Sequence, residues 1–258
     1  MHWSAHLSML FGEIPFSQRP QAAARAGFTA VESWWPPADE REAWAAACLQ
    51  HGLAVSCLNA DGGDLDRGER GYLNVAARHA DAVAALADAV ALAARVGAPC
   101  VNLLVGRRLP GVDEAGQLEL VVSGLRRCGE IAGERGVTIV VEPINELDIP
   151  GYLVPAPREG VRLLARVGSP HVRLLYDAYH DARGGGVPAR DVAEYLPWTA
   201  HVQYADCPGR GRPGTGDLDL PELVEALAAG GYDGAIGLEF DPGGPTLAAL
   251  RGLPELDG

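Results

Sequence analysis

The chain has 258 residues, a hydrophobic content of 48% and a formal net charge of −13. This length and composition suit one globular domain, and the acidic charge argues against nucleic acid or an anionic membrane as a partner, because both need a basic face. All 21 basic residues are arginines, since the chain has no lysine, which excludes Schiff-base chemistry and a phosphate loop that depends on lysine.

Cysteine usage and hydropathy predict a cytoplasmic protein. The five cysteines are odd in number and have no CxxC spacing, so we expect reduced, mostly buried thiols. No basic segment followed by an apolar core opens the chain, which predicts no signal peptide. Asp88, Arg95, Gly97 and Pro99 interrupt the apolar stretch over residues 82–105, which therefore predicts a helix followed by a strand rather than a membrane span.

Eight short apolar runs alternate with helical segments along the chain. They lack strict polar–apolar alternation, which is typical of parallel strands buried on both faces. The predicted strands are residues 3–8, 30–35, 54–59, 100–105, 138–144, 172–179, 200–205 and 235–240. The clearest helix is predicted over residues 74–96, and several helical segments end at a glycine just before the next strand. The first strand–helix turn lacks GxGxxG, so we favour a (β/α)8 TIM barrel over a doubly wound sheet, with residues 1–258 as a single domain.

Oxygen-donor side chains stand where the last four predicted strands end. They are Glu142, Asp177, Gln203 and Glu239. In a parallel barrel these strand ends converge on one mouth, where three carboxylates would repel one another without a cation between them. Mg²⁺ and Mn²⁺ prefer such oxygen ligands. The pattern therefore predicts a divalent-metal site, the alternative for each residue being a hydrogen bond that anchors a loop.

Seven short segments along the chain carry a family resemblance. They are LSMLFGE (7–13), GERG (68–71), EPIN (142–145), DIPG (148–151), YDAYH (176–180), RG (210–211) and PGTG (213–216). Any one of these segments is weak evidence of a family, but the occurrence of all seven in the correct order is strong evidence. The chain resembles the hydroxypyruvate isomerase family, within the xylose-isomerase-like TIM barrel superfamily, nearly from end to end.

The resemblance implies a site and a reaction. It implies that Glu142, Asp177, Gln203 and Glu239 bind Mg²⁺ or Mn²⁺, and that Glu142 and Glu239 face each other as a catalytic acid–base pair. It also implies interconversion of hydroxypyruvate and 2-hydroxy-3-oxopropanoate (tartronate semialdehyde). This chemistry requires a carboxylate that removes a proton, a partner that returns it, and a cation that stabilises the enediolate.

Two further residues are candidates for substrate binding. His180 follows Asp177 by three residues, and family analogy makes it a hydrogen-bond donor to a substrate oxygen, with a capping or packing role as the alternative. Arg210 stands in a glycine-flanked loop and would bind a substrate carboxylate bidentately, unless it is a solvated surface arginine. The chain departs from the family pattern at Gly209, where the family has histidine, and at Asp241, where it has lysine. An anion at position 241 would repel a substrate carboxylate if it faced one.

Several alternatives stay open. A 2-oxo-tetronate isomerase or a ketose 3-epimerase would use the same enediolate chemistry, although the epimerases place histidine where Gln203 stands. A non-catalytic sugar-binding barrel, the non-enzyme alternative, would not need Glu142 and Glu239. An abasic-site endonuclease is rejected, because it would need several zinc-ligating histidines and a basic face, whereas the seven histidines are scattered and the chain is acidic. We expect a small hydroxy-keto acid or sugar as the substrate. The sequence leaves the oligomeric state open, so a homo-oligomer is kept as an alternative.

Overall fold

The structure is a computed structural model that describes residues 1–251 and 253. Eight strands form one closed barrel, in which each strand pairs in parallel with its sequence neighbours and the last pairs with the first. They are β1 (His2–His6), β2 (Ala30–Ser33), β3 (Ala54–Asn59), β4 (Cys100–Asn102), β5 (Thr138–Val141), β6 (Val172–Asp177), β7 (Thr199–Tyr204) and β8 (Ala235–Leu238). The predicted (β/α)8 barrel is confirmed.

Helices cover the outside of the barrel and connect successive strands. Within the described residues they are α1 (Arg19–Arg25), α2 (Arg41–Gln50), α3 (His79–Val96), α4 (Glu114–Gly133), α5 (Pro157–Val167), α6 (Ala178–Arg183), α7 (Pro188–Tyr195), α8 (Leu220–Ala229) and α9 (Thr246–Ala249). At the C-terminus of α3, for example, Gly97 adopts φ 74° and ends the helix in the left-handed conformation that glycine tolerates. None of the helices in the described part of the chain has both the length and the apolar character needed to cross a bilayer.

Apolar side chains form two separate clusters. The large one lies between the strands and the helices. The small one consists of Cys57, Cys100, Val140 and Leu175, all buried and contributed by the neighbouring strands β3 to β6. We assign this cluster to the inside of the barrel, which is a packed core in barrels of this kind. All five cysteines are buried and unpaired, as predicted.

Candidate active site

Polar side chains form a ring directly above the interior cluster. Side chains alternate across a strand, so residues two positions beyond an inward-facing residue also face inward. The small apolar cluster consists of Cys57, Cys100, Val140 and Leu175. Two positions after each of them, at the carboxyl end of the barrel, the inward-facing side chains are Asn59, Asn102, Glu142 and Asp177. All four are buried. The strand ends therefore bring polar groups together inside the barrel mouth.

Glu142 and Asp177 lie in one acidic cluster with His180. One ligand atom from each of these three residues lies within 4.8 Å of the other two. Glu142 Oε2 accepts a hydrogen bond from Asn102 Nδ2 at 2.7 Å. Burial raises the pKa of Glu142 well above its usual range, and the charges of Glu239 and Asp177 raise this pKa further. Two buried carboxyls are thus held where their charges repel, which is the electrostatic condition that favours a bound cation.

Asp177 also determines where His180 lies. Its Oδ1 accepts a hydrogen bond from the Tyr179 backbone N–H at 2.8 Å and caps helix α6, which starts at the next residue. His180 therefore stands in the first turn of α6, and its Nε2 lies 3.5 Å from Glu142 Oε1 and 3.8 Å from Asp177 Oδ2. The short strand-to-helix transition brings both residues of the YDAYH segment into the cluster.

The hydrogen bonds of His180 determine its tautomer. Asn145 Oδ1 accepts from the Asp148 backbone N–H, so Asn145 Nδ2 is the atom that lies 2.7 Å from His180 Nδ1. This donor makes Nδ1 an acceptor and leaves the ring proton on Nε2. Burial lowers the pKa of His180 to about 3, so the ring is neutral at physiological pH. His180 consequently offers an N–H to the cavity, which suits hydrogen-bond donation rather than metal ligation.

Gln203 is oriented by a buried carboxylate on another strand. Its Nε2 donates to Glu32 Oε1 at 2.9 Å, and the other oxygen of Glu32 lies 2.6 Å from His201 Nε2. Glu32 fits because Gly237 has no side chain; a Cβ there would lie 2.1 Å from Glu32 Oε1. Within the described residues Gln203 Oε1 is buried without a hydrogen-bond partner. Since Gln203 pairs in register with Asp177, this free oxygen belongs to the same layer of the site.

Glu32→Gln tests this positioning role. An amide at position 32 can no longer accept from both Gln203 and His201 without also presenting a donor, so the orientation of the Gln203 amide is lost. We expect Mn²⁺ affinity, measured by calorimetric titration, to fall about 10-fold. Ser56→Ala is the control, because Ser56 donates to Glu32 Oε2 at 3.3 Å, whereas Gln203 donates to the other oxygen, Oε1. Equal Mn²⁺ affinity in Glu32→Gln and the wild type would remove Glu32 from this role.

Glu239 stands in a different environment from Glu142. Its Oε1 accepts from Trp34 Nε1 at 2.9 Å and lies 3.1 Å from Arg210 Nη2 and 3.7 Å from His6 Nε2. Burial alone would raise the pKa of Glu239, but the neighbouring charges of His6 and Arg210 outweigh it and hold the pKa below its usual value. The two glutamates thus have pKa values shifted in opposite directions, as in enzymes that use one carboxyl as acid and another as base.

The loop after β7 holds Arg210 over the site. Asp206 is buried at the start of this loop, and its carboxylate accepts hydrogen bonds from the backbone N–H groups of residues 207, 214, 215 and 218. Arg210 itself has φ 51°, and its carbonyl accepts from the Asp241 N–H at 2.8 Å. Its guanidinium lies 5.3 Å from the centre of the Tyr179 ring. Arg210 is therefore fixed against Glu239 and Tyr179 rather than free in solvent.

A cavity of about 260 Å³ opens above these residues. Its walls include Glu142, His180, Arg210 and Glu239, four of the residues predicted from the sequence. Asp177 and Gln203 are buried in the barrel mouth. Asp241 is exposed, and its Oδ1 accepts from the Gly243 N–H in a local turn, so its side chain does not face the cavity. The expected repulsion between position 241 and a substrate carboxylate is therefore not supported.

The residues at the mouth fit a hard divalent cation. The available donors are all oxygens. They are the mutually repelling carboxyls of Glu142 and Asp177, the carboxylate of Glu239 and the unpartnered amide oxygen of Gln203. Such sets suit Mg²⁺ or Mn²⁺. Asp177 and Gln203 lie in β6 and β7, and Glu142 and Glu239 directly follow β5 and β8, so consecutive strands of one barrel position all four donors.

Fold and site together define a barrel enzyme with an acidic, oxygen-rich centre. The family model described as "Xylose isomerase-like TIM barrel" matches residues 20–256. The chain belongs to this family.

The chain is also similar to individual proteins along nearly its whole length. The chain is 38% identical to the putative hydroxypyruvate isomerase of Streptomyces coelicolor, over 98% of this chain and 95% of that protein. It is 32% identical to the 2-oxo-tetronate isomerase of Cupriavidus necator, over 97% and 96%. A solved structure described as AP endonuclease, family 2, from Brucella melitensis superposes with a TM-score of 0.92 at 31% identity, covering 97% of this chain and 96% of that one. The predicted resemblance to the hydroxypyruvate isomerase family is confirmed.

Proposed function

We propose that this protein is a divalent-metal-dependent isomerase that interconverts hydroxypyruvate and tartronate semialdehyde. The observation that supports it most is the pair of buried glutamates, Glu142 and Glu239, in the wall of one small cavity with pKa values shifted in opposite directions. Relatives with 38% and 32% identity are named as isomerases of small hydroxy-keto acids. The net charge of −13 supports a small-molecule substrate rather than DNA.

The reaction needs one proton to leave carbon and one to arrive. A base removes a proton from C3 of hydroxypyruvate, which leaves an enediolate with its negative charge shared by the oxygens on C2 and C3. Return of a proton to C2 and transfer of the O3 hydroxyl proton to O2 give tartronate semialdehyde. In the direction of aldehyde formation, Glu239 is the carboxyl kept ionised by its neighbours and accepts the proton from C3. Glu142, whose pKa is raised, takes up a proton from solvent and returns it to C2.

The other residues bind and orient the substrate. His180 lines the cavity with its Nε2 3.5 Å from Glu142 and 3.8 Å from Asp177, and the Nε2–H donates a hydrogen bond to a substrate oxygen. Glu142, Asp177, Gln203 and Glu239 would hold Mg²⁺ or Mn²⁺, and the bound cation would offset the negative charge that develops on the substrate oxygens. Trp34 donates a hydrogen bond to Glu239 and forms part of the cavity wall beside it.

The proposal is tested by incubating the protein with hydroxypyruvate and Mn²⁺ and recording proton NMR spectra. We expect signals of the aldehyde product to grow in, and a chelator to stop them. Hydroxypyruvate that stays unchanged in the presence of metal would refute the proposed activity.

Arg210→Ala is expected to affect both binding and proton transfer. Loss of the guanidinium 3.1 Å from Glu239 removes a charge that lowers the pKa of this carboxyl, so the acid limb of the kcat/KM pH profile should move to higher pH. KM for hydroxypyruvate should rise about 10-fold as well. Arg212→Ala, at an exposed position of the same loop, is the control. An unchanged KM and pH profile would exclude Arg210 from the site.

A second candidate substrate is 2-oxo-tetronate, the four-carbon homologue. A neighbouring cavity of about 510 Å³ shares Trp34, Asn59, Leu65 and Leu104 with the walls of the site cavity, which leaves room for a longer carbon chain. The relative from Cupriavidus necator carries this substrate in its name. Comparing kcat/KM for the two substrates decides between them.

A further inference from the structure

Arg70 reaches the active-site cavity from the loop after β3. It is half-buried and forms part of the same cavity wall as Glu142, His180 and Glu239. The GERG segment that contains it was noted in the sequence without a role for its arginine. In the structure its side chain lies between the loop backbone and the cavity.

The loop around Arg70 is firmly held. The Gly71 N–H donates to Gly62 O at 2.8 Å, and Gly71 approaches the segment after β4 so closely that a Cβ there would lie 1.8 Å from Leu104 O. Glu69 accepts from the Asp64 N–H and pairs with Arg78, so its carboxylate is not available to its neighbour Arg70. The backbone that carries Arg70 is therefore fixed before any ligand arrives.

One edge of the Arg70 guanidinium is used by the protein and the other is free. Nη1 donates to Leu65 O at 2.9 Å and to Glu69 O at 2.6 Å. Within residues 1–251, neither Nε nor Nη2 has a hydrogen-bond partner, and no carboxylate forms an ion pair with Arg70. The Nε–Nη2 edge presents two parallel N–H groups, which is the arrangement that binds a carboxylate bidentately.

The charges around the cavity distinguish Arg70 from Arg210. Arg210 is already paired with Glu239 through Nη2. Arg70 forms no ion pair among the described residues. Burial lowers its pKa first, and the charges of Arg107 and Arg210 lower it further, while the charge of Asp66 in the same wall partly offsets them. At this end of the cavity an incoming carboxylate would meet Arg70 and the nearby charges of Arg107 and Arg210, with Asp66 opposing them, whereas at the other end it would meet the buried carboxyls of Glu142 and Glu239.

We propose that Arg70 binds the carboxylate of the substrate and thereby selects 2-keto acids. This inference rests on the proposed function, because it assigns one end of the same cavity to the carboxylate of hydroxypyruvate. The keto and hydroxyl oxygens then point toward the acidic cluster, where protons are moved.

The test measures binding of pyruvate, which keeps the 2-keto acid but lacks the C3 hydroxyl, to the Mn²⁺-loaded protein by calorimetry. Arg70→Gln should weaken pyruvate binding about 10- to 100-fold and raise KM for hydroxypyruvate by a similar factor. Mn²⁺ affinity should not change, since Arg70 does not touch the acidic cluster. Arg70→Lys, which keeps the charge but loses the bidentate edge, should lie between the two. Arg67→Gln, at an exposed position of the same loop, is the control and should bind pyruvate like the wild type.

Three outcomes would overturn the assignment. Equal pyruvate affinity in Arg70→Gln and the wild type would remove Arg70 from substrate binding, and a wild type that does not bind pyruvate would remove the carboxylate site. Loss of Mn²⁺ affinity in both Arg70 variants would show that the residue supports the whole site instead. A wild type that binds pyruvate through Arg70 but leaves hydroxypyruvate unchanged would refute the proposed activity and leave the carboxylate site intact.

Discussion

Replacing Glu142 with glutamine should lower kcat by about 10²- to 10⁴-fold, the range over which a positioned acid or base contributes to catalysis. Glutamine keeps the shape of a protonated glutamate but can neither donate a proton to carbon nor bind a cation as a carboxylate. The measurement is turnover of hydroxypyruvate at saturating Mn²⁺. The loss should appear in kcat rather than in KM alone.

The fold should survive this substitution. Burial raises the pKa of Glu142, so the charged carboxylate is disfavoured in the metal-free protein and a neutral amide should hold or increase its thermal stability. Glu146→Gln, at an exposed position of the same loop, is the control and should keep full activity. Turnover of Glu142→Gln within 10-fold of the wild type would remove Glu142 from the proton transfer.

Adding Mn²⁺ should stabilise the wild-type protein strongly. At a free concentration about 100 times Kd, binding to the folded state contributes roughly 2.7 kcal/mol, which for a chain of this size corresponds to a rise in Tm of about 5–10 °C. Thermal unfolding with and without Mn²⁺ measures this shift. Asp177→Asn should lose most of it, whereas Asp241→Asn, whose side chain is exposed and turned away from the cavity, should keep it.

This stabilisation should increase with pH. Burial raises the pKa of Asp177 to about 7 and also raises that of Glu142. Metal ligation needs both carboxyls deprotonated, so the Mn²⁺ effect should be complete above these raised pKa values and decline as the pH falls through them. Without metal the sign reverses: each raised pKa contributes stability that is present below the unfolded-state pKa and is lost as pH rises through the folded-state pKa. The Tm difference between metal-loaded and metal-free protein should therefore widen from pH 6 to pH 8, and a constant difference would contradict this account.

The barrel could be predicted because short apolar runs and helix-ending glycines, which indicate its strands and helices, are local features of the sequence. Each predicted strand overlaps a strand of the structure, but several end earlier than their apolar runs do. The predicted strand at residues 172–179 stops at Asp177, because this side chain caps α6. The predicted helix at residues 74–96 starts only at His79, because the buried Asn74 amide instead bonds Gln117 and the Arg107 carbonyl. The spacing of apolar residues gives no information about such side-chain hydrogen bonds.

Parts of the site that depend on contacts between distant strands were missed. Glu32 lies 171 residues from Gln203 in sequence, and its position requires the missing side chain of Gly237. Asn102, which donates to Glu142, was also missed. A period-two signal was nevertheless present, because Asn102 follows the inward-facing Cys100 by two residues, as Glu142 follows Val140. Residues such as Asn102 could have been identified by continuing the alternation of inward-facing and outward-facing side chains two positions beyond the last inward-facing apolar residue of each strand.

The most direct test of the account is deuterium exchange at substrate carbon. Hydroxypyruvate is incubated with the wild-type protein in D₂O, with Mn²⁺ or with a chelator, and deuterium at C3 of hydroxypyruvate and at C2 of the aldehyde is followed by NMR. We expect metal-dependent incorporation at both carbons, since the glutamates exchange protons with solvent between removal and return. Product that forms without any deuterium at C2, or exchange that proceeds equally well in the chelator, would contradict a metal-assisted proton transfer by the two glutamates.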